Sequence, residues 1–412
     1  MGEWIGRDVE LEVTNIAHGG ICVARHDGRV IFVSDAIPGE TVRARISDDR
    51  KKSFWRADTV EVLKPSEHRR EHVWSAASVD RDPDNRAGGA EFGHIEISHQ
   101  RELKRQVLTD ALKRMAKLET GVAADVTVEP LPGPADGTGW RTRLRLHVDE
   151  SGVIGPYAVR SHRVIPVRDL PLAVDEVAET APLGDRFPGE DHVDVLAPSE
   201  GGARLIIGKQ ARSEITERVG EREFKLSDSG FWQVHRHAAV TLTEAVQQAI
   251  DDALFDPKAA NLDLYGGVGL LAAAVGDRFG STVRITSVES DPDATDHAAR
   301  NLADWLGANA VTGRVERWVR ELAASAGPAE RARLEKATVV LDPPRSGAGR
   351  EVVDTLAGLN PAQVVYVACD PVAFARDVDL FRGHGYELTK LRALDMFPNT
   401  HHVEAVGSLT RV

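Results

Sequence analysis

The second half of the chain alternates short apolar runs with longer stretches of helical periodicity. Apolar runs lie at 283–288, 337–341 and 364–368, and helical patterns cover 294–306 and 350–359. Strands that are buried on both faces have near-continuous apolar sequences, and helices cover both faces of such sheets. The alternation therefore predicts an α/β domain with a parallel, Rossmann-like sheet.

The first 64 residues show a different pattern. Apolar and polar residues alternate at 9–13 and 42–46, and turn signals lie at 18–20, 27–28 and 38–39. Short strands with regular turns predict a small OB-like β-barrel. Basic and aromatic residues cluster near its end, namely Arg43, Arg45, Arg50, Lys51, Lys52, Phe54, Trp55 and Arg56. They fit contacts with RNA phosphates and bases, and the alternative is a solvated charged loop.

The middle of the chain contains a helical pattern at 98–118 and a strand pattern at 140–148. Alternation along this strand places Arg141, Arg143 and Arg145 on one face. Such a row is typical either of an RNA contact or of a salt-bridged sheet face. Together the patterns predict three domains: a barrel at 1–64, a smaller α+β domain at 65–225 and a Rossmann-like domain at 226–412.

Composition narrows the class of protein. The chain has 412 residues, two cysteines and a net charge of −13. The low cysteine count excludes a disulfide scaffold, and we find no long apolar run and no signal peptide at the polar start of the sequence. We therefore expect a cytoplasmic protein without a membrane partner, and no obligate protein partner is evident. The acidic charge requires any RNA-binding residues to be locally clustered.

A glycine-rich turn follows the first predicted strand of the last domain, at 265–269, and a helical stretch comes after it. Glycines let the backbone approach a ligand closely, and a helix N-terminus favours polar or anionic groups. The next strand ends in Glu289, where a carboxylate can accept hydrogen bonds from both ribose hydroxyls. This pair of features predicts a cofactor that contains adenosine.

Cys369 is a candidate nucleophile because it ends an apolar strand just before a turn that contains Pro371. The alternative is that it is a small buried apolar residue. Asp342-Pro343-Pro344 follows the preceding strand, and this segment is equally typical of a simple turn and of a site.

Five blocks at 231–235, 263–269, 342–347, 366–371 and 395–404, taken together, resemble the S-adenosylmethionine-dependent RNA 5-methyluridine methyltransferases. The N-terminal segment resembles the TRAM domain, an RNA-binding module. The resemblance implies S-adenosylmethionine as cofactor and RNA as partner, with 23S ribosomal RNA favoured over transfer RNA because of the TRAM-like module. It also implies cofactor or site contacts by Gln233, Tyr265, Glu289 and Asp342, a nucleophile in Cys369 and a general base in Glu404.

The chemistry of that family explains why it needs these residue types. C5 of uracil is a poor nucleophile, but addition of a thiolate at C6 produces an enolate that can attack a sulfonium methyl group. A positioned base must then remove the C5 proton so that the thiolate can leave. A base in folded RNA must first be flipped out of its stack, at a cost of a few kcal/mol.

The sequence departs from the family pattern in two places. Many relatives bind an iron–sulfur cluster through four cysteines, whereas the corresponding positions here are Arg81, Ala87, Ala90 and Leu170. Because cluster ligation needs thiolates, we predict no iron–sulfur cluster. His401 and His402 lack a third ligand at metal-site spacing, so no metal site is predicted. Gly266 and Leu270 replace other residues of the family, and we expect weaker or rearranged cofactor contacts.

Two alternatives to RNA uracil methylation remain open from sequence. In one, the chain methylates a different acceptor and Cys369 is structural. In the other, it is a catalytically inactive RNA-binding or folding factor, although retention of Cys369 and Glu404 argues against this.

Overall fold

The structure is a computed structural model, and it describes residues 4–411. The N-terminal segment forms a closed barrel in which the strands are ordered β1-β2-β3-β5-β4. The alternating apolar side chains of these strands, including Leu11, Ile31 and Ile46, fill its interior. The strands are β1 (Asp8–Ala17), β2 (Ile21–His26), β3 (Arg29–Ser34), β4 (Thr41–Asp48) and β5 (Phe54–Lys64). The predicted barrel is confirmed.

The middle of the chain combines short helices with two small sheets. Its sheets have the strand orders β10-β9-β7-β8 and β11-β12, and both are antiparallel. The helices are α1 (Ile97–Ala111), α2 (Val122–Asp125) and α3 (Asp175–Thr180). The strands are β6 (Val128–Pro130), β7 (Arg143–Val148), β8 (Ile154–Gly155), β9 (His192–Leu196), β10 (Arg204–Ile207), β11 (Glu214–Val219) and β12 (Arg222–Ser227).

The C-terminal part forms an eight-stranded sheet with the order β15-β14-β13-β16-β17-β19-β18-β6. Five neighbouring strands are parallel, and β19 inserts antiparallel between β17 and β18. The strands are β13 (Asn261–Leu264), β14 (Arg284–Glu289), β15 (Gly307–Thr312), β16 (Thr338–Leu341), β17 (Gln363–Ala368), β18 (Tyr386–Asp395) and β19 (Glu404–Arg411). The helices are α4 (Ala238–Ala249), α5 (Leu270–Phe279), α6 (Pro292–Asn301), α7 (Val315–Ser325), α8 (Pro328–Leu334), α9 (Gly349–Leu359) and α10 (Pro371–Gly383). The Rossmann-like sheet is confirmed.

Two predicted helices are shorter than their patterns. The regular part of α1 ends at Ala111 and continues as a π-helical turn, Leu112–Ala116, which ends at Lys117 with a positive φ of 57°. The pattern at 294–306 ends as α6 at Asn301, and the edge strand β15 follows. The sequence analysis missed β15 because its half-exposed residues form no continuous apolar run.

The segment from α1 to β6 packs with the C-terminal sheet. Strand β6 pairs with β18, and Leu108, Leu112 and Val128 belong to the same apolar core as β16 and β17. The middle of the chain therefore supplies an edge strand and a helix to the C-terminal sheet. The domain limits given above stay a prediction.

The three arginines of the predicted row in the middle region have different surroundings. Arg145 pairs with Asp194 at 2.7 Å, and Nη1 of Arg143 donates to the carbonyl of Gly230 at 2.7 Å. Arg141 lies before β7, and its side chain lines a large cavity. The salt-bridged interpretation therefore holds for Arg145, whereas Arg143 is largely buried and Arg141 faces the cavity.

Three of the four positions that correspond to the cluster cysteines lie in apolar surroundings, and the fourth, Arg81, is exposed. Ala87 and Ala90 are buried in a core with Trp74 and Trp140, and Leu170 packs against it. These side chains offer no ligand atom, so the residues present do not fit an iron–sulfur cluster. Within residues 4–411, no three His, Cys, Asp or Glu side chains are placed to hold a metal ion. None of the helices in this part of the chain has the length and apolarity that crossing a membrane requires.

Candidate active site

A cavity of about 790 Å³ lies at the carboxyl ends of the parallel strands. Open α/β sheets bind ligands at this edge, where the loops after neighbouring strands converge. The structure places all of the residues predicted from sequence on the wall of this one cavity, namely Gln233, Tyr265, Glu289, Asp342, Cys369 and Glu404.

Cys369 and Glu404 lie at facing strand ends. Cys369 follows the last residue of β17, and Glu404 is the first residue of β19. The strands are antiparallel with Ala368 opposite Ala405, so the next pair in the same register is Cys369 and Glu404. Directly opposite residues have Cβ atoms roughly 5 Å apart. The sheet therefore places a thiol and a carboxyl side by side at the cavity wall.

The electrostatics of this pair favour its neutral forms. Burial, together with the neighbouring Glu404 and Asp342, raises the pKa of Cys369 to about 12, and Arg345 opposes this increase. Burial and Asp342 raise the pKa of Glu404 well above its ordinary value. Burial and the nearby Asp263 raise the pKa of Asp342 to about 7. Cys369 is therefore a thiol at neutral pH, ionisation of Glu404 is disfavoured, and Asp342 titrates in this range beside them.

The glycine turn holds Glu289 at the opposite side of the cavity. Gly267 and Tyr265 both have positive φ, 54° and 64°. The amide of Gly267 donates to Oε2 of Glu289 at 3.1 Å, and the amides of Ser290 and Asp291 donate to Oε1 at 2.5 and 2.8 Å. The Ser290 hydroxyl also donates to Oε1, at 2.9 Å, so Oε2, which accepts from Gly267, is the oxygen better able to accept a hydrogen bond from a hydroxyl group. These residues fit a ribose-containing cofactor.

The side chains next to Gly266 leave no space for a Cβ atom at this position. A Cβ atom there would lie 2.0 Å from Oγ of Ser287 and 2.6 Å from Oδ2 of Asp263. Ser287 donates a hydrogen bond of 2.9 Å to that same carboxyl oxygen. The buried Ser287–Asp263 pair therefore occupies the space that a larger residue would need. Weaker cofactor binding as a result of this departure stays a prediction.

Comparison with known families connects this geometry to an activity. Residues 3–54 match the TRAM domain, and residues 192–412 match the family described as tRNA (Uracil-5-)-methyltransferase. The chain belongs to that family. As a member it is an RNA methyltransferase whose methyl donor is S-adenosylmethionine.

Relatives of this methyltransferase match it over nearly its whole length. A protein of Streptomyces avermitilis named an uncharacterized RNA methyltransferase is 35% identical, and the match covers 98% of both chains. A protein of the same description from Streptomyces coelicolor is also 35% identical, over 98% of this chain and 93% of that one.

A solved structure shares the fold of this methyltransferase. It is the Pyrococcus abyssi tRNA (uracil-54, C5)-methyltransferase, solved in complex with S-adenosyl-L-homocysteine. It covers 97% of this chain and 99% of its own, with a TM-score of 0.67 and 20% identity.

The sequence analysis missed one charged residue of this methyltransferase's cavity, Glu91, and named Arg141 only as part of a possible RNA-binding row. Glu91 and Arg141 both line it from the middle region. Burial lowers the pKa of Arg141, and Oε2 of Glu91 lies 3.6 Å from Nδ1 of His401. Glu91 belongs to no local motif, so only its proximity to the 87–90 block could have drawn attention to it.

His401 and His402 connect this wall to Arg345. Their rings lie 4.0 Å apart, and Nε2 of His402 is 3.3 Å from a guanidinium nitrogen of Arg345. Burial lowers the pKa of His402 to about 3, so this ring is neutral. The two rings thus lie in a row between Glu91 and Arg345.

Proposed function

We propose that this methyltransferase adds a methyl group to C5 of a uridine in RNA through a transient covalent bond between Cys369 and C6. One observation carries the proposal. Cys369 and Glu404 lie at facing strand ends on the same cavity that the predicted cofactor contacts line. The reaction needs a nucleophile and a base on one pyrimidine ring, and adjacent strand ends supply both.

The predicted cofactor contacts and the proposed reactive residues occupy different parts of the cavity. Glu289 is fixed by the glycine turn and is placed to accept the ribose hydroxyls, while Tyr265 and Gln233 line the space near it. S-adenosylmethionine supplies the electrophilic methyl group and a positive charge. Asp342 lies in the same cavity as Cys369, and it is the carboxyl whose pKa of about 7 lets it exchange protons at neutral pH.

Covalent addition begins with the loss of the Cys369 proton. We assign the acceptor of this proton to the carboxylate form of Asp342, because Asp342 lines the same cavity as Cys369 and its pKa of about 7 leaves part of it ionised at neutral pH. The thiolate then forms the S–C6 bond, and the C5–C6 electron pair moves onto C5 and O4 as an enolate. C5 takes the methyl group, and S-adenosylhomocysteine is the product of the donor.

Elimination requires Glu404 in its carboxylate form. Its raised pKa makes this carboxylate a stronger base than an exposed glutamate once it is ionised. It removes the C5 proton, the electron pair re-forms the C5–C6 double bond, and the C6–S bond breaks to release the Cys369 thiolate. The free thiol is needed in each turnover, which suits a reducing compartment such as the cytoplasm.

The barrel offers a surface for RNA on the strands β3 and β5. The rings of Phe32 and Phe54 lie 5.1 Å apart, and Arg56 and Lys51 lie over them, with Nζ of Lys51 4.9 Å from the Phe54 ring. Aromatic rings with adjacent cations are suited to unpaired bases and phosphates. Trp55, which the sequence analysis included, is 6% exposed and fills the barrel core instead.

Other basic residues of the predicted RNA surface are paired. Arg43 pairs with Glu61, and Arg45 lies 3.1 Å from Asp8. A third pair, between Arg50 and Asp48, spans 2.8 Å. Such exposed pairs reduce the positive charge that RNA would meet, so the aromatic face is the stronger candidate.

The identity of the RNA is the open part of the proposal. The TRAM domain favours 23S ribosomal RNA, whereas the Pyrococcus abyssi neighbour is named for transfer RNA and covers 97% of this chain. We therefore propose structured RNA as the substrate, with both classes as candidates.

The proposal is tested with S-adenosylmethionine, unmodified 23S rRNA fragments and transfer RNA transcripts. We expect 5-methyluridine in digests of one RNA class, detected by mass spectrometry, and none with Cys369→Ala. Methyl transfer by Cys369→Ala would exclude the covalent mechanism. Methylation of neither RNA, with S-adenosylmethionine still bound, would favour another acceptor or a non-catalytic RNA-binding role.

A further inference from the structure

We infer that the β1–β2 turn of the barrel, residues 17–20, is a positioning element of the active site, with His18 as its positioning residue. The inference deepens the proposed function, on which it rests. The sequence analysis assigned the barrel to RNA binding alone, yet this turn contacts both loops that carry the reactive residues.

The first contact joins His18 to Asp370, the residue that follows the proposed nucleophile. Nε2 of His18 lies 2.7 Å from Oδ2 of Asp370. The other oxygen of Asp370 accepts hydrogen bonds from the amides of Val372 and Ala373, at 3.0 and 2.8 Å, and so caps the N-terminus of α10. Because both oxygens have partners, the Asp370 side chain is held in one orientation. Cys369 therefore lies between strand β17 and the N-terminal cap of α10, and His18 of the barrel holds the capping side chain in place.

The second contact reaches the loop before Glu404. A Cβ atom on Gly20 would lie 2.4 Å from Cβ of His401 and 3.0 Å from Cε1 of Phe92. The turn is therefore packed against His401 with no space between them. The ring of His401 lies 4.0 Å from that of His402, and His402 contacts Arg345, the cation that opposes the increase in the pKa of Cys369.

The charge of the first contact favours this role. The hydrogen bond to Asp370 raises the pKa of His18 above its ordinary value, which favours the imidazolium form. An imidazolium makes the hydrogen bond to Asp370 charge-assisted and therefore stronger, so the side chain that caps α10 directly after Cys369 is held more firmly. We therefore expect the barrel turn to help to hold Cys369 in its reactive position.

The chain provides a direct probe of this effect. It has two cysteines, and Cys22 is buried, with 1% exposure, in the barrel. Iodoacetamide should therefore label Cys369, which peptide mass spectrometry can verify. Labelling needs neither RNA nor cofactor, so its outcome does not depend on whether uridine is the methyl acceptor.

The first test compares His18→Ala with His26→Ala in the full chain. His26 is also a barrel histidine beside an aspartate, with Nε2 3.7 Å from Asp27. We expect His18→Ala to slow alkylation of Cys369 at pH 8 about threefold to tenfold and to lower kcat for methyl transfer by a similar factor, with KM for RNA within about twofold. His18→Gln, which can still donate to Asp370, should recover much of both rates. Alkylation by His18→Ala at the rate of His26→Ala would overturn the inference.

The second test separates the contact from backbone strain. Gly19 and Gly20 both have positive φ, 82° and 71°, but a Cβ on Gly19 would meet nothing within 4 Å. Gly19→Ala and Gly20→Ala therefore carry similar strain, and only the second displaces His401. We expect only Gly20→Ala to slow alkylation and kcat. Equal alkylation rates in the two variants would show that the turn does not position the reactive loops, whatever the methyl acceptor.

Discussion

The barrel encloses its core, whereas the C-terminal sheet opens onto a cavity at its strand ends. The surroundings of the two cysteines differ accordingly. Cys22 lies within β2, faces the closed barrel core and donates to the carbonyl of Ala36 at 3.1 Å. Cys369 follows the end of β17 and lines the large cavity. Burial raises the pKa of both thiols. The two thiols therefore differ in their surroundings and not in the direction of their pKa shifts. Cys369 follows a strand end of an open sheet and faces the chemical groups of a cavity, whereas Cys22 faces the closed interior of the barrel.

Replacing each cysteine in turn is the strongest test of this difference. We expect Cys369→Ala to reduce methyl transfer by at least about 10³-fold, because the nucleophile is lost, while cofactor binding by calorimetry is retained. Cys22→Ala should keep the rate within about twofold and lower the free energy of unfolding by about 1 kcal/mol. A large loss of activity in Cys22→Ala without unfolding would contradict the assignment of Cys369 as the nucleophile and of Cys22 as a core residue of the barrel.

Removing the base should separate addition from elimination. We expect Glu404→Gln to slow release of methylated RNA by about 10²–10⁴-fold, since no group is left to remove the C5 proton. A covalent protein–RNA species should then accumulate and be visible on a denaturing gel. Glu387→Gln, an exposed carboxylate on β18 paired with Arg382, is the control. Normal turnover by Glu404→Gln would reassign the base.

The aromatic face of the barrel predicts a smaller effect on RNA affinity. We expect Phe54→Ala to raise the Kd for RNA about tenfold, because stacking on one base contributes roughly 1–3 kcal/mol. Arg43→Ala, which removes a guanidinium already paired with Glu61, should change the Kd by less than about twofold. Titration by fluorescence anisotropy measures both. Equal effects would mean that charge and not stacking dominates this surface.

The smallest expected effect concerns stability. The pKa of Asp342 is raised to about 7, so its contribution to stability is fully present below about pH 4 and is lost as the pH rises through 7. Asp342→Asn cannot ionise and should gain a few °C in Tm relative to the native chain at pH 8 but not at pH 4. Asp379→Asn, exposed on α10, is the control. The same Tm difference at both pH values would show that Asp342 does not titrate as described.

Local patterns predicted most of the elements in both regions. Alternation in β1 and β4 indicated the barrel, and continuous apolar runs indicated β16 and β17, because the period of a strand and its burial are properties of adjacent residues. The same reasoning failed at β15, a half-exposed edge strand, and at Trp55, whose side chain turned out to face the core.

The sequence by itself determined the residues with the required chemistry, a cysteine at a strand end and the carboxylates of the motifs, and its family patterns indicated their roles. Only the tertiary structure decided that β19 inserts beside β17, so that Glu404 faces Cys369, and that a barrel turn contacts Asp370 and His401. These contacts join residues far apart in the chain, and they depend on strand order and domain packing. The raised pKa values follow from the same cause, because burial and neighbouring charges exist only once the chain is folded.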